Sequence, residues 1–417
     1  MAARKFYELI TARKLRKGLR ERLRKRRQRR KARRLATNPF KNTDALKVFL
    51  VPDSRKRISI VTDSIGKTSF FGGVATATIM GALLANRLNA DLRIVTRQER
   101  SDGERLLKLY KSAGIELQKN LSIEFSPSDD PRGLPICENE LFITTSWWTT
   151  RSALHSISKK QLIYILQEDE RMFYESGDAS VRCQEVFNEE GFPVVINAKL
   201  LFEHLTTGPA AVEHFKKDGM FFEPAFSYQR KVQAKPRDGK RRFFFYARPM
   251  NPRNLFWRGV EVINRAIDDG LLDLQKWEIY FVGSNIFESF RLNGNVAPIV
   301  CSNMSWDEYS DLIKSMDAGL CLMASPHPSY PPLDLAAVGV PVLTNCYLNK
   351  TNLSNYSSNI MTREVDVESL ASGMGDLLKL ALDHDARVAN CSADNIQRDW
   401  AIAFEPVISR LSTSFGS

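Results

Sequence analysis

Ala324–Thr344 reads ASPHPSYPPLDLAAVGVPVLT, and the order of residue types in it decides the architecture. The apolar run Ala318–Met323 just before it predicts a strand, which leads into a Pro/Ser-rich loop. A short helix over Leu333–Val338 follows, with an acid in its first turn, then Gly339-Val340-Pro341 and another strand over Val340–Thr344. Strands alternating with helices pair in parallel through right-handed crossovers. Ligands of such sheets bind beyond the carboxyl ends of the strands. Prolines at 328, 331 and 332 fix the loop but carry no N–H, which leaves the amides of Ser329, Tyr330 and Leu333 to face a pyrophosphate. Asp334 can accept hydrogen bonds from both hydroxyls of a ribose. An acid at that place also stabilises the helix dipole, and an isolated Asp would do only that.

Working outward, the same alternation continues upstream. Strands are expected at Phe243–Ala247 and Trp277–Val282, and helices at Trp257–Asp268 and Ser305–Ser315. The polar stretch Ser227–Arg242 reads as a linker, before which lies another α/β series. That series has a strand at Arg57–Thr62, a loop at Asp63–Gly73, a helix at Ala75–Leu88 and strands at Leu92–Thr96, Leu141–Thr145 and Leu162–Gln167. The tail Ala393–Ser412 predicts a final helix or pair of helices with Trp400 and Phe404 on one face. Gly66-Lys67-Thr68 follows a strand, but a phosphate-binding G-x-x-x-x-G-K-[ST] loop would need a glycine at Val61, so that reading is rejected. Gly72-Gly73 at a helix start lets the main chain approach an anion closely, or simply makes a flexible loop.

Charge is distributed unevenly over the 417 residues. The chain carries a formal +12, yet residues 1–34 hold 17 Lys/Arg against Glu8 and Glu21, a net of +15, so the remainder sums to −3. Phe6, Ile10, Leu15, Leu19 and Leu23 recur amid the arginines and suggest an amphipathic helix. Such an arm suits anionic lipid, at about 1 kcal/mol per basic residue. It would equally meet nucleic-acid phosphates, or remain a solvated tail. Six cysteines without a CxxC or Cys/His ligand spacing indicate a reduced cytosolic setting. No stretch approaches the ~18–20 apolar residues of a spanning helix.

Several segments then resemble one family. PPLDLAAVGVPV (331–342) resembles the P-x-x-E-A-M-A-x-G-x-P-V segment of GT-B glycosyltransferases, in particular glycosyltransferase family 4. The second acid of that family's E-x7-E motif matches Asp334, and the first would fall at Pro326, where His327, Ser329 and Tyr330 follow instead. Tyr246-Ala247-Arg248-Pro249 resembles the G-R-x…K-G phosphate clamp, with Arg253 or Arg258 in place of its lysine. Trp277–Gly283 resembles the strand and glycine after the clamp. Leu166–Tyr174 (LQEDERMFY), with Ser146-Trp147 upstream, resembles a segment of bacterial WsaF-type rhamnosyltransferases that build surface glycans. The resemblance covers roughly residues 55–405.

The resemblance implies an α/β, GT-B architecture of two Rossmann-like doubly wound domains facing a cleft. The expected divisions are a basic arm (1–40), an acceptor-binding domain (41–235), a nucleotide-sugar-binding domain (236–395) and a helix crossing back to the first domain (396–417). It implies retaining transfer without a metal or other cofactor, L-rhamnose from dTDP-L-rhamnose as donor, and a glycan acceptor linked to polyprenyl diphosphate. The arm, over residues 1–36, would rest on the anionic inner face of the cell membrane, so the protein is expected to be cytoplasmic and peripheral; nucleic acid is the less expected partner. Donor contacts are expected from Gly72, Gly73, Tyr246, Arg248, Arg253, Arg258, Ser329, Tyr330 and Asp334. Diphosphate charge grows as the glycosidic bond breaks, and arginines with helix N-termini can meet it. Glu168, Asp169, Glu170 and His327 are the catalytic candidates. Clustered carboxylates raise one another's pKa, although acids there could instead cap a helix and pair with Arg171. Trp147 and Trp148 could stack on an acceptor sugar, or be core. A non-catalytic sugar-nucleotide-binding scaffold would share the same cleft.

Overall fold

The computed structural model describes residues 39–66, 72–101, 103–228, 232 and 239–415. The basic arm up to residue 38, Lys67-Thr68 and most of the stretch between the two series lie outside them.

The first series forms strands β1 (Val48–Leu50), β2 (Arg57–Thr62), β3 (Asp91–Thr96), β4 (Leu121–Phe125), β5 (Leu134–Ile136), β6 (Glu140–Thr144), β7 (Leu162–Leu166), β8 (Val194–Asn197) and β9 (Gly219–Phe222). Seven of them make one parallel sheet in the order β4-β3-β2-β6-β7-β8-β9, while β1 and β5 pair apart from it. Helices cover both faces, so central strands are buried almost throughout: β7, LIYIL, is buried at every position. One face carries charge. Arg93 on β3 is fully buried between Ser59 on β2 (Nε to Oγ, 2.8 Å) and Glu140 on β6, and Arg57 donates to the same carboxylate at 2.6 Å. Three neighbouring strands are thereby stapled by one buried ion network.

The second series forms β10 (Arg241–Ala247), β11 (Trp277–Gly283), β12 (Ile299–Ser302), β13 (Ala318–Leu320), β14 (Val342–Asn345) and β15 (Ile360–Arg363), a parallel sheet ordered β12-β11-β10-β13-β14-β15. Gly259 on the Phe256–Asp268 helix explains how closely that helix packs, because a Cβ there would lie 2.3 Å from the Phe245 ring.

After its second sheet the chain returns to the first. The Trp400–Phe415 helix buries Trp400, Phe404, Val407, Ile408 and Leu411 in one cluster with residues of the Gly73–Leu88 helix and β9, and the Phe404 ring lies 4.3 Å from that of Phe222. Arg87 and Glu405 close the contact at 2.7 Å. Among the described residues no helix is long and apolar enough to cross a membrane.

Candidate active site

In each sheet the strand order reverses once, between β2 and β6 in the first and between β10 and β13 in the second. Loops leave the carboxyl ends of those strands on diverging paths, which opens a crevice there. The two crevices face each other. Glu168, just past β7, accepts a short hydrogen bond from Ser325 past β13, and lies 3.6 Å from Arg253 Nη1 past β10. Tyr330 reaches the other way, its hydroxyl 2.8 Å from Thr76 Oγ1 and accepting from Asn197 Nδ2 at 2.9 Å.

Arg253 is held by its loop. Asn251 accepts the Arg253 amide at 3.3 Å across a one-turn helix, Leu255 ends it in the left-handed region, and Ala324 N–H donates to the Arg253 carbonyl at 2.7 Å. The guanidinium sits 4.0 Å over the Phe173 ring, with Nη1 buried and lacking a hydrogen bond. Arg248 lies within reach of the Tyr246 phenol, which burial pushes up in pKa and which feels both Arg248 and Asp334, so these three share one region. Arg258 does not join them. Its side chain is 39% exposed and pairs with Glu261 one turn along the same helix at 3.2 Å, and the left-handed Leu255 lies between it and Arg253. Lys350, which sequence reasoning missed, does join them: fully buried past β14, its ammonium donates to the Met323 carbonyl at 3.0 Å. Its signal was its isolation, since it is the sole charged residue between Asp334 and Arg363.

The three consecutive acids separate, and only Glu168 faces the crevice. Burial raises its pKa against Arg253, Ser325 and Lys350. Asp169 is structural: burial alone would push it up, but Arg171 (2.8 and 2.7 Å) and His204 (3.0 Å) hold it below the usual carboxylate range. Glu170 is buried beneath the Ser146-capped helix, accepting from Trp147 N–H at 2.6 Å and Tyr164 O–H at 2.9 Å, and burial pushes it up to about 8. Trp147 is core as well, 2% exposed with its indole N–H given to Tyr174 at 2.9 Å, so it has no face for a sugar. Trp148 is only half-buried and donates to Asp63 at 2.8 Å. Asp63, a further residue the sequence did not single out, stands at the carboxyl end of β2 with Oδ1 buried and unpartnered.

The Ser325–Asp334 loop also differs from expectation in detail. The Ser329 amide is not free, because it donates to His327 Nδ1 at 2.8 Å; Ser329 itself is left-handed, φ 71°. That bond makes Nε2 the protonated nitrogen of His327, and Nε2 is buried without a partner. Burial first, then Lys350 and Arg253, push this imidazole down to about 3, so near neutrality it is an N–H donor and not an acid or base. Tyr330's hydroxyl serves the domain contact already described. Asp334, 5% exposed, accepts from Tyr228 at 3.0 Å and Tyr309 at 3.1 Å, and burial pushes it up to about 7 against those two donors. It borders a cavity of about 720 Å³ that Gly72, Thr76, Tyr228, Trp306 and Tyr330 also line. Gly72 lies against Tyr330, and a Cβ on Gly73 would come within 2.8 Å of Gln167, so the glycine pair serves close approach between protein segments.

With this geometry in place, comparison is informative. The N-terminal domain of the WsaF family matches residues 57–197 and its C-terminal domain residues 241–375, together more than half of the chain. The chain is 28% identical over 293 residues to the O-antigen biosynthesis protein RfbC of Myxococcus xanthus. That alignment takes in 68% of this chain but 21% of the relative, so the chain spans about a fifth of that protein's length. Among solved structures, a TarM mutant of S. aureus in complex with Fondaparinux, alpha-GlcNAc-glycerol and UDP superposes with a TM-score of 0.58 at 8% identity, covering 87% of this chain and all (100%) of that one. Anabaena Alr3699/HepE in complex with UDP gives 0.56 at 11% identity, covering 86% and 100%. At such identities the likeness is one of fold, the two-domain GT-B arrangement.

Proposed function

The chain belongs to the WsaF family, and from that premise we propose that it is a GT-B glycosyltransferase that moves a sugar from a nucleoside diphosphate onto a growing surface glycan. The observation that carries this reading is the meeting of Arg253 and Glu168, from opposite domains, at the carboxyl ends of two sheets, while Asp334 borders the cavity that Gly72, Thr76 and Tyr330 line. The name of the RfbC relative supports O-antigen-type assembly, and UDP in the TarM and HepE complexes supports a nucleoside diphosphate as ligand.

In this reading Asp334 takes the ribose hydroxyls, Arg248 and Arg253 meet the diphosphate, and His327 Nε2–H is offered to the donor sugar. Glu168, Asp63 and Trp148 stand on the acceptor side. The donor is dTDP-L-rhamnose and the transfer is retaining. The acceptor hydroxyl attacks from the leaving-group face, its oxygen bonding to the anomeric carbon as the carbon–phosphate oxygen bond breaks. Its proton passes to the departing phosphate oxygen, and dTDP leaves. The acceptor is a lipid-linked glycan at the cytoplasmic membrane face, where residues 1–36 rest on anionic lipid.

The test is a melting panel with dTDP, UDP and GDP, then mass spectrometry of a glycan acceptor incubated with dTDP-L-rhamnose. A bound nucleotide at 100 times its Kd adds about 2.7 kcal/mol of stability. We expect dTDP to shift the melt most, and Arg253→Ala or Asp334→Ala to remove the shift. If no nucleoside diphosphate stabilises the protein, the reading is wrong.

A further inference from the structure

Lys350 has a buried charge that the free protein does not fully answer. It follows β14 in a tight turn where Tyr347 and Lys350 exchange backbone hydrogen bonds at 2.9 Å and Leu348 is left-handed. That turn exposes Leu348 and Asn349 and sends the lysine stem inward until none of the residue is accessible. An ammonium has three N–H donors, and one acceptor, the Met323 carbonyl, is supplied at 3.0 Å. Around it lie Glu168 past β7, Arg253 past β10, His327 on the loop past β13, and Cys346 on its own segment. His327 is neutral, and Cys346 gives its thiol hydrogen to the Thr351 carbonyl. Two cations therefore face one carboxylate: Arg253 Nη1 lies 3.6 Å from Glu168 but makes no hydrogen bond, and His327 Nε2 is buried without one as well. Buried charge without a counter-charge is costly, and a dianion placed here would remove the imbalance.

We propose that Lys350 is a second cationic ligand of the donor diphosphate, gripping with Arg253 the phosphate that becomes the leaving group. It takes the part for which the 246–259 segment has no lysine, from a different strand end. The inference rests on the glycosyltransferase reading and deepens it. Because the Nζ atom is buried beside the Met323 carbonyl, it meets the distal phosphate and not the nucleoside.

The experiment is calorimetric titration of dTDP and of thymidine into the full chain, wild type, Lys350→Met and Lys350→Gln, with melting curves to confirm folding. A lost charged hydrogen bond weakens binding by roughly 10- to 100-fold. We expect that loss for dTDP and none for thymidine. Burial, opposed by Glu168, pushes the ammonium down to about 8, so wild-type dTDP affinity should decline as pH rises from 7.5 to 9.5. In both variants that alkaline decline should flatten. If either folded variant binds dTDP as wild type does, or keeps the decline, Lys350 is not a ligand, and the glycosyltransferase reading stands. If Met and Gln both prevent folding, the wild-type profile decides: a dTDP affinity constant across that pH range overturns the assignment. Failure of wild type to bind any nucleoside diphosphate would instead overturn the function, and this inference with it.

Discussion

Glu168 and Glu170 are two residues apart and meet opposite surroundings, one a cationic crevice and the other the interior beneath Trp147. For Glu170, with a folded pKa about 8 above the ordinary 4.5, the native state holds its proton more tightly than the unfolded chain. Its contribution to stability is complete below pH 4.5 and is lost as pH rises through about 8. Glu170→Gln should therefore gain on wild type as pH increases from 6 to 9, by at most about 1.4 kcal/mol per pH unit. Denaturant melts at both pH values check this, and a gap that does not widen refutes it. Asp334 titrates near 7 and is a better acceptor when ionised, so dTDP affinity should fall as pH drops from 8 to 6 and Asp334→Asn should flatten that acid limb. An unchanged limb by calorimetry would remove the carboxylate from the ribose. At this scale much of the crevice was visible in the sequence, because Arg253 and Glu168 sit directly past strands. Arg258, Asp169 and Trp147 misled, since which way a side chain turns depends on Leu255, on His204 and on the Ser146 cap, all set by tertiary contacts. Lys350 was hidden because its burial comes from a local turn.

Among elements, legibility followed burial. β2, β7, β10 and β11 are mostly buried and each holds an apolar stretch, complete in β7 and interrupted by Ser59 in β2 and Glu278 in β11. β4 (LSIEF) and β12 (IVCS) are edge strands with partly exposed residues, and β8 is only four residues; no strand was expected at any of the three. The terminal helix was legible through Trp400 and Phe404. Its packing makes a strong prediction: Phe404→Ala opens a cavity beside Phe222 and should cost about 3–5 kcal/mol in urea unfolding. A loss under about 1 kcal/mol would mean that the helix does not belong to the first domain's core.

For the whole molecule, the polar contacts between the domains among the described residues include Ser325 and Arg253 with Glu168, Tyr330 with Thr76 and Asn197, Tyr356 with Glu223 at 2.8 Å, and Asn349 with the Leu200 carbonyl at 2.8 Å. Tyr330→Phe removes the contacts with Thr76 and Asn197 while preserving the ring against Phe226. Both domains should stay folded, with the melting midpoint shifted little, and small-angle scattering should report a larger mean radius of gyration. An unchanged scattering curve would show that this hydroxyl does not set the spacing between domains.

The polypeptide passes between its two lobes twice, once after β9 at Glu223–Phe226 and again where residues 392–400 lead into the last helix, and Phe226 N–H donates to the Gln397 carbonyl at 2.8 Å where the two crossings meet. Two tethers behave like a pair of door pins. They permit swinging about the line that joins them and resist twisting across it, so opening to admit substrates should follow a single arc. A protease nick in the first tether would leave the lobes still joined by the second.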